Sequence, residues 1–224
     1  MPTLSPQQKE QLALHWSLVK AAQAQFNLTA ILEDDQARSK HYLDCLALLP
    51  LINTSPAPRR LLDIGSGGGF PGLVIAVACP QLSVTLLEAT QKKCAFLSSC
   101  GQQLGLSNLR VINARAEEAG RDPELRGSFD LVSARAVAGL NVLLELALPL
   151  LTMGGRLLAM KGEAWQEELA QAAPALTLLG GAARPTYEYS LPGGDRRAIV
   201  DIEKQSPTPD KYPRRPGMPN KRPL

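Results

Sequence analysis

Three observations in this 224-residue chain predict an α/β fold built on a mostly parallel, Rossmann-like sheet. From Arg60 onward, short apolar runs alternate with longer helical stretches, the pattern of parallel strands covered by helices on both faces. The run Leu61-Leu62-Asp63-Ile64 passes straight into Gly65-Ser66-Gly67-Gly68-Gly69-Phe70-Pro71-Gly72, an apolar strand feeding a glycine turn and a helix start. Two β-rich runs flanking Pro192-Gly193-Gly194-Asp195 read as a closing antiparallel hairpin. The expectation is a seven-stranded, mostly parallel sheet with a final antiparallel hairpin, behind an N-terminal helical cap.

Each element has a local cause. Ser5-Pro6-Gln7-Gln8 supplies an N-cap, a Pro at the first position and a capping-box Gln, opening an amphipathic helix to about Phe26. A second helix is expected from about Gln36 to Leu49, ended by Pro50, and Asn53-Thr54-Ser55-Pro56-Ala57-Pro58 reads as a linker. Strands are placed at roughly 60–64, 83–88, 109–113, 129–133 and 155–161, with helices at about 71–78, 91–105, 139–151 and 163–180, each followed by a Gly or Pro stop. Arg184 to Tyr189 and Arg197 to Glu203 form the hairpin arms. Past Gln205 the chain is Pro-rich, basic and poor in apolar residues, so it is disordered by default; the alternative is that Tyr212, Pro213, Pro216 and Pro219 lie extended along the surface with its cations facing a nucleic acid. The expected division is a helical cap over 1–58, a ligand-binding domain over 59–205 and a basic tail over 206–224.

Composition excludes several classes. No run of eighteen apolar residues appears, and Met1-Pro2-Thr3-Leu4-Ser5 lacks a basic region followed by an apolar one, so a cytoplasmic protein with no membrane partner is expected. Cys45, Cys79, Cys94 and Cys100 form no Cys-x-x-Cys pair, and with only His15 and His41 beside them no zinc set is apparent. Buried free thiols are the expectation, and the helical setting of Cys79, Cys94 and Cys100 argues against a thiol nucleophile. The net charge of +3 is uneven: Lys204 to Leu224 carries +5, leaving −2 for residues 1–203. Such a terminus suits a polyanion, since each cation near a phosphate releases condensed counterions; on charge alone it equally suits a solvated tail that keeps the protein soluble.

The glycine run selects between cofactors. A dinucleotide fingerprint would put its third glycine at position 70, where Phe70 stands. An acid two residues before the first glycine, Asp63, followed by Gly65, Gly67 and Gly69 at alternate positions, instead resembles the first motif of S-adenosylmethionine-dependent methyltransferases. Ser83-Val84-Thr85-Leu86-Leu87-Glu88 then supplies the carboxylate that a nucleoside site needs at the end of the second strand. Behind the third strand, backbone groups of Ala116 and Glu117 would read an adenine edge. Behind the fourth, where an Asn/Asp-Pro-Pro-aromatic loop would mark amine methylation, Arg135 stands instead; it suits a cofactor carboxylate or O6 and N7 of guanine equally well. Lys161 ends the fifth strand, a candidate for a phosphate contact or a base.

Taken together the motifs resemble one family almost end to end: RsmG, or glucose-inhibited division protein B, the bacterial 16S ribosomal RNA guanine-N7 methyltransferases. The resemblance rests on Phe26-Asn27-Leu28-Thr29, His41-Tyr42-Leu43-Asp44-Cys45-Leu46, the glycine run with Phe70-Pro71-Gly72, Ala114-Arg115-Ala116-Glu117-Glu118, Ala134-Arg135-Ala136, Ala159-Met160-Lys161-Gly162 and Lys211-Tyr212-Pro213-Arg214-Arg215-Pro216-Gly217. It implies a class I methyltransferase fold, S-adenosylmethionine as cofactor, and small-subunit RNA or a ribosomal particle as partner of a monomer without metal. Cofactor contacts would fall on Gly65, Phe70, Glu88, Ala89, Thr90, Ala116, Glu117 and Arg135, added to Asp63, Gly67 and Gly69. Arg135 and Lys161 become the catalytic candidates; Lys161, Arg196, Arg197, Lys211, Arg214, Arg215, Lys221 and Arg222 become the RNA contacts. Glu88 stands where many relatives have Asp, and Cys45 where Ser is common. The rivals are a methyltransferase acting on a small molecule or protein, a dinucleotide oxidoreductase, and a non-catalytic RNA-binding protein with a relic pocket.

Overall fold

The computed structural model describes residues 4–31, 33–53 and 59–224; the linker residues 54–58 lie outside it. Helix α1 (Pro6–Phe26) begins at the expected cap: the Ser5 N–H donates to Gln8 Oε1 at 2.8 Å and the Gln8 N–H to Ser5 Oγ at 3.2 Å. Asn27, in the left-handed region at φ 47°, ends it. Leu12, His15, Trp16 and Val19 form its buried face at helical spacing.

The expected helix from 36 to 49 is replaced by a broken run. Helix α2 (Asp34–Ala37) passes into a π-helical turn, Arg38–Leu43, then α3 (Asp44–Leu46) and α4 (Leu49–Ile52). Pro50 sits in the first turn of α4, where its missing N–H costs nothing, so it opens a helix rather than closing one. The wide π turn buries His41 and Tyr42, and α3 buries Asp44 beside them.

The sheet comprises β1 (Arg60–Ile64), β2 (Ser83–Glu88), β3 (Leu109–Asn113), β4 (Phe129–Arg135), β5 (Leu151–Lys161), β6 (Gly181–Ala183), β7 (Tyr187–Ser190) and β8 (Arg196–Lys204). Its order is β3-β2-β1-β4-β5-β8-β6, with β7 also on β8; β1 to β5 are parallel and β8 runs antiparallel to β5, β6 and β7. Eight strands occupy seven positions, because β6 and β7 share one edge of β8. The break between them contains Pro185, which has no N–H to give to a ladder.

Helices α5 (Gly72–Ala78), α6 (Gln91–Gln103), α7 (Ala116–Ala119) and α8 (Leu140–Ala147) follow β1 to β4 in turn. After β5, the single helix expected over 163–180 is divided into α9 (Trp165–Gln171) and α10 (Ala173–Leu179), with Pro174 in the first turn of α10. Strand residues alternate between two cores. Leu61, Leu86, Leu131 and Leu158 face one, with α1, α3, α5 and α6; Leu62, Leu87, Val132 and Ala159 face the other, with α8 and α10.

The tail past Gln205 is ordered, a correction to the expectation of disorder. Arg126 donates to the carbonyls of Tyr212, Gly120 and Thr208 at 2.7, 2.8 and 2.9 Å. Arg214 forks onto Glu145, a fully buried carboxylate of α8, through Nη2 at 2.6 Å and Nε at 2.9 and 3.1 Å, and its backbone N–H adds a bond at 2.8 Å. Thr208 and Tyr212 are buried, and the short helix α11 (Met218–Lys221) completes the strap. Few apolar residues are needed when guanidinium forks satisfy the strap's backbone. No described helix is long and apolar enough to cross a membrane.

Candidate functional site

The strand ends of β1, β2, β4 and β5 open on one side of the sheet. The loop after β1 is held by its own backbone: the Gly65 N–H donates to Leu87 O at 2.8 Å, and those of Gly69 and Phe70 return to Ser66 O at 2.7 and 3.1 Å. Gly65 has φ 68°, and a Cβ there would stand 2.9 Å from Val137 Cγ2 in the loop after β4. At Gly72 a Cβ would come within 2.3 Å of Leu86 Cδ2 and 2.7 Å of Asp63 Cβ, so the helix can start this close to the sheet only with glycine.

Asp63, expected among the cofactor contacts, is fully buried beneath the loop. Its Oδ2 accepts the Gly72 N–H at 3.1 Å and its Oδ1 the Ser133 hydroxyl at 2.8 Å, fastening β1, α5 and β4 together. Burial pushes its carboxyl up to about 6, with hydrogen bonds, those from Ser133 and Gly72 among them, opposing the shift. It positions the loop from below.

Glu88 ends β2 facing the loop. Its Oε2 accepts the Gly67 N–H at 3.1 Å and its Oε1 the Thr90 N–H at 2.9 Å, so Gly67, Glu88 and Thr90 meet. The nearest atom to a Cβ at Gly67 would be Gly65 O at 3.8 Å, which leaves the backbone open to a ligand beside that carboxylate. Ala89 and Thr90 are exposed next to it. These are the features of a nucleoside cradle: an open backbone, one acid, and no side chain in the way. Glu117 turns its carboxylate away, to the Gly217 N–H of the strap at 2.9 Å, leaving the backbone of Ala116 and Glu117 at the end of β3.

Phe70 and Arg135 join the loop to the cap. The Phe70 ring is buried, stacked on His41 at 4.5 Å and 19°, with His15 and Tyr42 at 5.1 and 5.4 Å. Its ring is therefore a packing element between loop and cap. The Arg135 guanidinium lies 5.2 Å over the same ring and donates to Lys40 O at 2.9 Å and Asp44 Oδ2 at 3.2 Å. Asp44 Oδ1 accepts the Tyr189 hydroxyl at 2.7 Å. His15 bridges the loop and the cap, with Nε2 2.9 Å from Gly68 O and Nδ1 2.9 Å from the Tyr42 hydroxyl. Burial lowers His15 to about 4; burial and the neighbouring Arg135 lower His41 to about 4. Both imidazoles are thus neutral near pH 7.

Lys161 is not a free base. Its Nζ donates to Ala138 O and to Glu168 Oε2, each at 2.7 Å, and the same Oε2 accepts the Leu140 N–H at 2.9 Å. The pair ties β5 to the start of α8. Beside it lies a cavity of about 630 Å³, lined by Arg135, Ala136, Lys161, Glu168, Lys40 and Arg197 among others. Val137 lines this cavity and touches the position of Gly65, so cavity and glycine loop adjoin. At its mouth Lys40 and Arg197 share Asp195, at 3.0 and 3.4 Å.

Of the basic residues expected to meet RNA, Lys211, Arg215, Lys221 and Arg222 are exposed on the strap and Arg196 is exposed near Glu188 at 3.6 Å. Arg214 is the correction: its charge is spent on Glu145. All four cysteines are buried and unpaired, and burial raises Cys79 to about 11 and Cys100 to about 12, which suits no nucleophile. No metal-ligating cluster occurs among the described residues. His15, Asp44, Tyr189, Arg126 and Glu145 were missed from sequence. His15 left a signal in its place on the buried face of α1 beside Leu12 and Val19, and Asp44 in the run His41 to Leu46 that carries the family resemblance.

Comparison with known proteins agrees with this geometry. The family described as rRNA small subunit methyltransferase G matches residues 8–192. A protein named ribosomal RNA small subunit methyltransferase G, from Streptococcus pyogenes serotype M12, is 43% identical over 222 residues, 99% of this chain and 94% of the relative. In fold, a putative O-methyltransferase from Klebsiella pneumoniae is similar with TM-score 0.60 and 16% identity, covering 92% of each chain. The O-methyltransferase from Bacillus cereus, solved in complex with SAH, follows at TM-score 0.57 and 18% identity, covering 91% of this chain and 93% of the other.

Proposed function

Because the chain belongs to the rRNA small subunit methyltransferase G family, we propose that it transfers a methyl group from S-adenosylmethionine to N7 of a guanine in small-subunit (16S) ribosomal RNA. It is a methyltransferase with S-adenosylmethionine as cofactor. The observation that carries the reading is the meeting of Gly67, Glu88 and Thr90 beside the 630 Å³ cavity at the ends of β4 and β5.

When bound, the cofactor supplies an electrophilic methyl on a sulfonium. Glu88 would accept its ribose hydroxyls, exchanging the backbone N–H groups it now accepts, and the backbone of Ala116 and Glu117 would meet the adenine. The acceptor base enters the adjoining cavity. Guanine N7 carries a lone pair and no proton, so the protein needs no general base and chiefly aligns donor and acceptor. The engagement of Lys161 with Glu168, and of Arg135 with Asp44, supports that reading: neither is poised to take a proton. Arg135 then acts by holding cap against loop at the site's wall.

In this reading residues 1–58 form the cap, 59–205 the catalytic domain and 206–224 an RNA-facing strap of a cytoplasmic monomer. Lys40 and Arg197 at the cavity mouth, with Arg196, Lys211, Arg215, Lys221 and Arg222, fix phosphates. The test is incubation with methyl-labelled S-adenosylmethionine and unmethylated small-subunit RNA or particles, followed by nucleoside analysis. Label in 7-methylguanosine is expected; label in another nucleoside overturns the N7 assignment, and no transfer despite cofactor binding overturns the acceptor.

A further inference from the structure

Two carboxylates line the cavity, and they differ in what they have left to give. Asp44 is buried and spends both oxygens, one on Tyr189 and one on Arg135. Glu168 spends only Oε2, on Lys161 and the Leu140 N–H; its Oε1 accepts no bond from the described residues, and the side chain is 31% exposed. It is a carboxylate held by one oxygen, on a side chain that lines a space large enough for a purine.

Its position selects the edge it would meet. The glycine loop follows β1, and β4 separates β1 from β5, whose end carries Lys161 and, through it, Glu168. A guanine presenting N7 toward the glycine loop turns its N2 amine away from the loop, with N1–H beside it, toward the β5 side. N1–H and the N2 amine are both donors, which a carboxylate accepts; adenine offers an N1 lone pair and a C2–H there, and a carboxylate repels the lone pair.

We infer that Glu168 reads the N1–H and N2 amine edge of the acceptor guanine and so selects guanine over other purines; the inference rests on the N7 reading above. Lys161 and the Leu140 N–H are its orienting partners. The design resembles other sites in which one hydrogen-bonded face is spent on the protein so that the second is fixed for a ligand.

Glu168→Gln tests it without removing the shape. Lys161 and the Leu140 N–H are both donors, so the amide oxygen must take the place of Oε2, and the amide NH2 then points where Oε1 was. A donor now faces guanine's donors. Kinetics are compared on small-subunit RNA carrying either guanine or inosine at the methylated position, since inosine keeps N7, O6 and N1–H and lacks only the N2 amine. Wild-type kcat/KM is expected to favour guanine over inosine by about tenfold, the usual scale for a hydrogen bond to a charged group. In Glu168→Gln that ratio falls to about one or below, with the melting temperature confirming a folded protein. A variant slowed equally on both substrates, its ratio intact, overturns the inference and leaves Glu168 as a tether for Lys161. Absence of 7-methylguanosine from the wild-type product overturns the N7 reading itself, so the two failures are distinct.

Discussion

The glycine loop and the C-terminal strap are both ordered, but their partners lie at very different distances along the chain. In the loop, the Gly72 N–H reaches Asp63 nine residues away and the Gly67 N–H reaches Glu88 across 21. In the strap, Arg214 reaches Glu145 across 69 residues and the Gly217 N–H reaches Glu117 across 100. The loop's backbone turns on its own glycines, with His15 and Val137 packed against it, whereas the strap's side chains and backbone are held by the domain it wraps. Order in one is local and backbone-driven; in the other it is borrowed through charge.

The largest test of that contrast is Arg214→Ala. It strands Glu145 as an unpaired charge with no exposure, a situation that costs about 3–5 kcal/mol. Denaturant unfolding should show that loss, and the double variant Arg214→Met with Glu145→Leu should recover most of it. A single variant as stable as wild type would mean the strap contributes no more than a loose tail.

The loop's support gives a second, smaller effect. His15 is lowered from 6.5 to about 4, so the unfolded chain binds its proton first; the stability it contributes is complete above pH 6.5 and is lost as pH falls toward 4. The limit is about 3 kcal/mol. Asp63, raised from 3.8 to about 6, works in the opposite sense, stabilising as pH falls through 6, and His41 adds to the loss. Melting temperature should therefore drop between pH 6.5 and 4.5, and His15→Phe should flatten that slope. An unchanged slope in the variant would remove His15 from the loop's support.

The smallest effect sharpens the strap's second role. Neutralising Lys211, Arg215, Lys221 and Arg222, all exposed, should leave stability and cofactor affinity in place while lowering RNA affinity. The slope of log K against log salt should become shallower by roughly 0.7–0.9 for each phosphate that is no longer neutralised. Equal slopes would separate the strap from RNA binding altogether.

The same contrast explains what the sequence disclosed. β1, β2 and β3 were legible to the residue, since apolar runs bounded by turn residues need no distant information. Gly65, Gly67, Glu88 and Thr90 were found because the spacing of a strand, a turn and a second strand end fixes their meeting. Asp63 stood out as constrained but was placed against the ligand, whereas it is buried beneath the loop; the Phe70 ring packs on the cap. Spacing marks that a residue is constrained, while the direction it faces depends on burial. The fork of Arg214 on Glu145, the fan of Arg126 over the strap's carbonyls, and the link from Arg135 through Asp44 to Tyr189 join segments with no shared local pattern. The π turn at 38–43 was invisible for a related reason, as its sequence reads equally well as ordinary helix.

The break at Pro185 bears on how this protein behaves in a crowd. β6 and β7 form the outer rim of the sheet, three and four residues long, and they are offset where Ala183 pairs with Ile202 and Tyr187 with Ile199. An invading strand would find no continuous row of N–H and C=O groups longer than those short pieces, and a proline between them to refuse the ladder. Mending the rim, by Pro185→Val for instance, would hand neighbouring molecules a template, so the interruption acts as a safeguard against edge-to-edge aggregation.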